Sequence, residues 1–350
     1  IIDIMNSFVL YLLCLALACA VTAGSLPVVR RLLAPRFMDA PGGLKHHARP
    51  TPVLGGICVM LGIAAALVCI RRITSVPSGT LHALRGILWG AGIVFITGVA
   101  DDMHKPEGVK SWVKLVAQGA AAVILMAYGV HIQVFDCPWL DYPLSFFWVI
   151  GITNAFNLLD ISDGLCTSQA AVSALGLAWI ALPGEAVYVN FAALALLGAC
   201  IGFWPYNHAK RLKTFLGDSG SMLLGFLLAA LCMGTGYSQH TNLGFLAPFF
   251  ILAVPLFDTL FVMLARALKG KNPLAGSPDH IVQRLKRAFH FSTRTVLTLY
   301  ILWALFNNLL AFALTRWNAY CALALMIFSA VYMAAACLFL LHTGNPAHEN

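Results

Sequence analysis

Five short stretches of the chain bring together residue types that can handle phosphate and a hard cation. The first reads DAPGGLKHHARPTPVLGG over residues 39–56. Pro41, Pro50 and Pro52 forbid a long helix there, and Gly42, Gly43, Gly55 and Gly56 let backbone approach closely. Lys45, His46, His47 and Arg49 form a cationic edge suited to an anion, although a merely topogenic basic loop would look similar up to its PTPVLGG ending. The second is GVADD at residues 98–102, followed by Lys114 and Gln118. Adjacent acids repel, so Asp101 or Asp102 can carry a raised pKa and accept a proton. The pair could equally bind a hard cation or shape a turn.

The third stretch, NAFNLLDISDGL, repeats Asn154, Asn157, Asp160 and Asp163 at intervals of three. That spacing winds a polar band slowly around one side of a helix. It serves either interhelical hydrogen bonds or a polar ligand at the membrane surface. The fourth, NHAKRLKTFLGDSGSMLLG, places Asp218 in a glycine-flanked turn before an apolar run. Asp218 or Ser219 is expected to cap the following helix, whose free N–H groups would suit a phosphate. Asp218 is then placed to hold Mg²⁺ bridged to that phosphate. The fifth, KGKNPLAGSPDHIVQRL, holds Asp279, His280 and Arg284. Asp258 lies apart, inside an apolar stretch, where an acid is functional by default but here has no evident role.

The elements that must position these residues are membrane helices. Of the 350 residues, 60% are hydrophobic and only 10% charged, against about 25% charged in a soluble domain. Eleven apolar stretches are predicted as helices, at 7–29, 53–70, 86–100, 112–130, 143–159, 167–182, 187–205, 219–237, 243–268, 295–315 and 318–341. At about 20 residues per span they leave only short loops. The fold class is thus an all-α polytopic integral membrane protein of about 11 transmembrane helices, or 10 if the first or last is not a span. Residues 1–350 are read as one domain, with site loops near 36–56, 101–114, 157–168, 206–220 and 269–294. The first stretch is read as a retained helix, because basic residues follow it rather than precede it. Cysteines such as Cys14, Cys58, Cys200 and Cys232 fall inside apolar stretches without metal-type spacing, as small buried hydrophobes do.

With the N-terminus outside and the C-terminus cytoplasmic, all of the 22 Lys and Arg except Arg71, Arg72, Arg85 and Arg316 fall on the inner face, as the positive-inside rule requires. This distribution accounts for the net charge of +8 without a nucleic-acid partner. It also gathers Asp39, Asp101, Asp102, Asp160, Asp163, Asp218 and Asp279 on the same side.

Together these motifs resemble the polyprenyl-phosphate N-acetylhexosamine-1-phosphate transferases of glycosyltransferase family 4. The similarity runs from DAPGG at residue 39 to HIVQRL near 285. Five motifs match in the family's order: the PxPxxGG loop, the DD pair with downstream Lys and Gln, NxxNxxDxxDGL, FLGDSGS and the late His loop. The resemblance implies transfer of an N-acetylhexosamine-1-phosphate from a UDP-sugar to undecaprenyl phosphate, with UMP leaving, to begin a cell-envelope glycan such as lipopolysaccharide O-antigen. It implies Mg²⁺, with Mn²⁺ as the alternative, a site on the cytoplasmic face of a bacterial inner membrane, contact with membrane lipid, and an assembly compatible with a homodimer. Carried over by position, Asp218 is the principal metal ligand. Asp101 or Asp102 deprotonates or orients the lipid phosphate. Asn154, Asn157, Asp160 and Asp163 belong to the uridine and sugar site, with Phe215 stacking nearby. Lys45, Arg49, Lys114, His280 and Arg284 handle phosphates.

Two departures bear on the donor. Ile161 stands where the family often has the first glycine of DGxDGL, and the late loop reads HIVQ rather than a run of histidines. The second departure disfavours the peptidoglycan branch, whose donor is UDP-MurNAc-pentapeptide. UDP-GlcNAc or a modified relative, such as a 6-deoxy-N-acetylhexosamine, is expected instead. The rival class is a nucleotide-sugar or anion transporter. Transporters put their polar sites near mid-bilayer between repeats, whereas these polar residues crowd one face and no repeat is evident.

Overall fold

A computed structural model of the chain describes residues 4–40, 50–74, 78–105, 107–182, 187–209, 211–237, 242–273 and 279–343. The chain is an all-α multi-pass membrane protein. It divides into two compact units, the first ending at Gly236 and the second beginning at Tyr237. All ten cysteines are free.

The first unit holds α1 (Ile4–Leu33), α2 (Gly55–Ile73), α3 (Ser78–Met103), α4 (Ser111–Ala127), α5 (Pro138–Leu159), α6 (Leu165–Ala181), α7 (Val187–His208) and α8 (Gly217–Met233). Helix α8 is its centre. Every residue from Ser219 to Cys232 is buried, because α2, α3, α5 and α6 all pack around it. Small residues permit this. A side chain at Gly98 of α3 would run into the backbone of Ser219, and one at Gly56 of α2 into the backbone of Gly220. Close backbone approach through glycine is a common way for membrane helices to associate.

A short antiparallel ribbon, β1 (Met38–Asp39) with β2 (Thr51–Pro52), sets Met38 opposite Pro52 and Asp39 opposite Thr51. The segment then runs on beside the turn that opens α8. Phe215 N–H donates to the Pro52 carbonyl at 2.9 Å, and the N–H groups of Gly55 and Gly56 donate to the carbonyls of Phe215 and Leu216, each at 2.9 Å. The PTPVLGG ending therefore clamps the FLGD turn.

The second unit begins with a 3₁₀ turn at Asn242–Leu246 and continues through α9 (Ala247–Ile251), α10 (Ala253–Leu268), α11 (Ile281–Phe289), α12 (Thr293–Arg316) and α13 (Ala319–Thr343). The 3₁₀ turn and α9 meet α10 at a bend of 72°. Pro255 lies in the first turn of α10; it lacks the N–H that would continue the ladder back to Ile251.

Each predicted apolar stretch coincides with a helix or, for 243–268, with this bent pair. Among the described residues, seven helices are long and apolar enough to cross a membrane, or eight if the bent pair is one span. Helices α4, α6 and α8 have 17 residues each. At 1.5 Å per residue they reach only ~26 Å, short of a ~30 Å hydrocarbon core. Helix α11 was expected as part of a loop. Its apolar side buries Ile281 and Val282 while Arg287 faces out, and His290, at φ 53°, ends it in a left-handed turn.

Candidate active site

The site is built on the start of α8. A helix leaves its first N–H groups without partners, and the cap residue here, Leu216, has no side chain able to help. The partner comes from another helix. Asp102, at the end of α3, accepts from Asp218 N–H at 2.9 Å through Oδ1. Through Oδ2 it accepts from Ser219 N–H at 3.0 Å and from the Ser219 hydroxyl at 2.6 Å. Gly217, at φ +78°, makes room: a Cβ there would lie 2.5 Å from Asp102 Oδ2. This corrects the expectation that Asp218 or Ser219 caps α8 and leaves N–H groups free for a phosphate. Those two N–H groups belong to Asp102.

Asp218 therefore points its own carboxylate elsewhere. Lys114 Nζ lies 2.6 Å from Asp218 Oδ2 and 2.6 Å from Asp101 Oδ1. Lys105 Nζ lies 3.0 Å from Asp102 Oδ1 and 3.4 Å from Asp218 Oδ1. Asp101 also accepts from Val109 N–H at 2.8 Å. Three carboxylates thus face two ammoniums, and the sum of −3 and +2 leaves one negative charge. Asp101 and Asp102 are 4% and 1% exposed, whereas the Asp218 side chain is 18% exposed and offers the most open edge of the group. Burial alone would lower the Lys105 pKa, but Asp102 and Asp218 outweigh it and hold the ammonium above its usual range.

Oxygens of Asp101, Asp102 and Asp218 lie within 4.8 Å of one another. An all-carboxylate donor set suits a hard divalent cation. Asp218 fits the role of principal ligand, since its oxygens are engaged by lysine side chains that can move. Both oxygens of Asp102 are tied to backbone.

The polar band of α5 splits into distinct tasks. Asn154 is joined to Gln118 of α4, donating to its Oε1 at 2.7 Å and accepting from its Nε2 at 3.4 Å, so this amide pair holds two helices together. Asn157 donates to Ser221 Oγ at 3.0 Å and reaches the Asp218 carboxylate, which places it at the site. Asp160, just past α5, is pushed up to about 7, chiefly by burial and partly offset by Lys105. Asp163 pairs with Lys213 at 2.6 Å. The Lys213 ammonium sits 5.4 Å from the centre of the Phe215 ring, and Asn207 ties the two segments by accepting from Gly164 N–H at 2.5 Å and donating to the Thr214 carbonyl at 3.1 Å.

Asp101, Asp102, Lys114, Asn157 and Asp218 thus form one cluster, with Asp160 interacting electrostatically with it. Asp163 and Phe215 form a second group around Lys213. Lys45 and Arg49 lie outside the described residues. His280 and Arg284 belong to the second unit and are both 3% exposed. His280 Nδ1 is 2.6 Å from Asp258 Oδ2. Arg284 donates to the Leu340 carbonyl at 3.0 Å and to the Asp279 carbonyl at 3.3 Å. The sequence reading missed Lys105, Lys213, Asn207 and Ser221. Lys105 had a signal in its i, i+3 spacing from Asp102. The other three are joined to their partners only by the fold.

A profile of the family described as glycosyl transferase family 4 matches residues 84–236, which span the clusters around Asp218 and Lys213. The chain is 30% identical over 292 residues to a probable undecaprenyl-phosphate N-acetylglucosaminyl 1-phosphate transferase of Bacillus subtilis, covering 80% of this chain and 78% of that one. It is also 30% identical over 305 residues to a decaprenyl-phosphate N-acetylglucosaminephosphotransferase of Mycolicibacterium smegmatis, covering 77% and 74%. A phospho-N-acetylmuramoyl-pentapeptide-transferase of Limosilactobacillus fermentum is 35% identical over a shorter 196 residues, covering 52% and 60%.

Proposed function

The chain belongs to glycosyl transferase family 4, and on that footing we propose that it transfers N-acetylglucosamine-1-phosphate, or a modified N-acetylhexosamine-1-phosphate, from its UDP-sugar to undecaprenyl phosphate and releases UMP. The observation that carries this reading is the gathering of Asp101, Asp102, Asp218, Lys105 and Lys114 around the start of α8. Two anions, a lipid phosphate and a diphosphate, must meet for this reaction. A site with exchangeable cations and an open carboxylate edge is what such an encounter requires. The named relatives act on polyprenyl phosphates with N-acetylglucosamine donors, which supports the choice of both substrates.

The chain's own residues divide the work. Asp218 would hold Mg²⁺ or Mn²⁺ at its open edge. Such an ion, once bound, offsets the charge of the diphosphate and of the leaving UMP. Lys105 and Lys114 turn from the carboxylates to the phosphate oxygens on long flexible stems. Asp101 takes the proton of the lipid phosphate. This role falls to Asp101 rather than Asp102 because both Asp102 oxygens are occupied by the start of α8. Asn157, Asp160, Asp163 and Phe215 receive the uridine and sugar, with Lys213 beside them and Ile161 narrowing the turn. Asn154 acts through Gln118. Lys45 and Arg49 are assigned to phosphate by their place in the first basic loop, and His280 and Arg284 by theirs in the late one. The distribution of basic residues supports a site facing the cytoplasm from a bacterial inner membrane, with the N-terminus outside. The product starts a cell-envelope glycan, O-antigen of lipopolysaccharide among the candidates.

The test is UMP release by purified protein given undecaprenyl phosphate, Mg²⁺ and a panel of UDP-sugars. UDP-GlcNAc or a 6-deoxy relative is expected to release UMP, and chelation of the metal to stop it. Release from UDP-MurNAc-pentapeptide alone would favour the pentapeptide-transferase reading, to which the shorter match lends some support. No release from any donor, with labelled nucleotide sugar accumulating inside vesicles, would overturn the enzyme reading in favour of transport.

A further inference from the structure

Helix α1 carries none of the five motifs and lies outside the residues that the family profile matches. It nonetheless reaches the Lys213 group at two points. The first begins with a proline. Pro27 stands inside α1 and has no N–H to give the Ala23 carbonyl one turn earlier. The Tyr206 hydroxyl of α7 donates to that carbonyl instead, at 2.9 Å. The second is Arg30, whose guanidinium donates to the Lys213 carbonyl at 2.7 Å, across 183 positions of sequence.

Both contacts fall on one side of α1. A side chain at Gly198 or Gly202 of α7 would run into the carbonyls of Leu15 and Cys19. At 3.6 residues per turn, positions 15, 19, 23 and 30 lie within an arc of about 80°. The face of α1 that packs closely on α7 is therefore the face that delivers Arg30 to the segment following α7.

That segment is held peptide by peptide. The peptide between Lys213 and Thr214 has its carbonyl on Arg30 and its N–H on the Tyr206 carbonyl at 3.2 Å. The next has its carbonyl on Asn207 at 3.1 Å and its N–H on the Pro52 carbonyl at 2.9 Å. From this fixed backbone the Lys213 ammonium meets Asp163 at 2.6 Å and lies 5.4 Å from the centre of the Phe215 ring. A basic residue in the last turn of a helix is favoured in any case by the helix dipole and by the inner membrane face proposed above. Arg31, exposed beside Arg30, shares those reasons. They do not account for a bond from Arg30 to so distant a carbonyl.

We infer that Arg30 is a positioning residue for the nucleotide sugar, acting through Lys213 by fixing the peptide from which that side chain reaches Asp163 and Phe215. The inference rests on the reading of Asp163 and Phe215 as part of the uridine and sugar site.

The experiment measures UMP release by the purified full chain, with each substrate varied in turn while the other saturates. The chains compared are wild type, Arg30→Gln, Lys213→Met, their double variant and Arg31→Gln. Arg30→Gln is expected to raise KM for the nucleotide sugar about 10-fold, the lower end of what a charge-assisted hydrogen bond contributes, and to leave KM for undecaprenyl phosphate unchanged. Lys213→Met is expected to raise the same KM. The double variant should match Lys213→Met, because residues acting as one unit are not additive, and Arg31→Gln should match wild type. Equal rises in both KM values, effects that multiply in the double variant, or the same loss in Arg31→Gln would reduce Arg30 to a general cation of the membrane face and overturn the inference. A wild-type KM in Arg30→Gln beside a raised KM in Lys213→Met overturns this inference alone. A wild-type KM in Lys213→Met overturns the reading of that segment and the inference with it, whereas a wild-type chain that releases no UMP overturns the proposed reaction itself and all that rests on it. If Arg30→Gln does not fold, Arg30→Lys, which keeps the charge and loses the planar fork, takes its place. A smaller rise in the same KM is then expected, and an unchanged KM overturns the inference.

Discussion

Both units bury carboxylates, and they satisfy them in opposite ways. At the start of α8, Asp101 and Asp218 share Lys114, while Asp102 and Asp218 share Lys105. These partners are ammoniums on four-carbon stems, able to leave one anion for another. In the second unit, Asp258 meets an imidazole, a backbone N–H and a phenol, each carried on a rigid group. A buried acid matched by movable cations can exchange them for a ligand. A buried acid matched by fixed donors can only orient what it touches. Asp102 shows that both habits occur inside one cluster: its oxygens serve the backbone of Asp218 and Ser219 as well as Lys105.

This contrast has measurable consequences. The largest effect is expected from Asp218→Asn, which removes the open carboxylate edge and should lower turnover on the order of 10³-fold without lowering the melting temperature. An active variant would mean that the exchangeable cluster is not where the chemistry lies. Asp102→Ala should behave differently and cost about 3 kcal/mol of stability, because it strips the start of α8 of its cap. A denaturation midpoint equal to that of wild type would erase the distinction between the two acids. Lys114→Met comes next. Losing a charge-assisted contact of about 1.5–3 kcal/mol should lower kcat/KM by about 10- to 100-fold while the fold survives, and an unchanged kcat/KM would make the lysine a structural counter-ion only.

The smallest expected effect is on pH dependence. Burial holds the Asp160 carboxyl near 7, against about 3.9 when unfolded. Between those values the native form keeps a proton that the unfolded form has released, so stability falls as pH rises through this window and levels off above it. Asp160→Asn removes that slope. Its gain in melting temperature over wild type should be near zero at about pH 4 and largest at about pH 8. A gain independent of pH would show that Asp160 is solvated and separate from the cluster.

Much of the fold could be read in advance because lipid imposes a simple rule on sequence. An apolar run long enough to span must be helical, since no other conformation satisfies its backbone within the run. The site residues of the first unit were legible for a related reason. Asp101, Asp102, Asp160, Asp163 and Asp218 interrupt or end apolar runs, where an acid without a function is costly. What stayed open were the bonds that link distant segments. Asn154 suited either a ligand or an interhelical bond, and only the fold sets Gln118 opposite it. The N–H groups of α8 looked free until Asp102 closed on them. Asp258 had no partner in its own neighbourhood because its partners begin 22 residues later.

Composition and spacing by themselves determined a helical membrane protein, the acids and bases that concentrate in its loops, and the kind of chemistry those residue types permit. The tertiary structure decided which acid caps a helix, which remains open to a cation, and which holds a histidine in place. The physical reason is range. Hydrophobic periodicity and local propensity act over a few turns of helix and are written along the chain. A carboxylate's task is set by donors within about 3 Å, and those donors arrive from other helices only when the chain has packed.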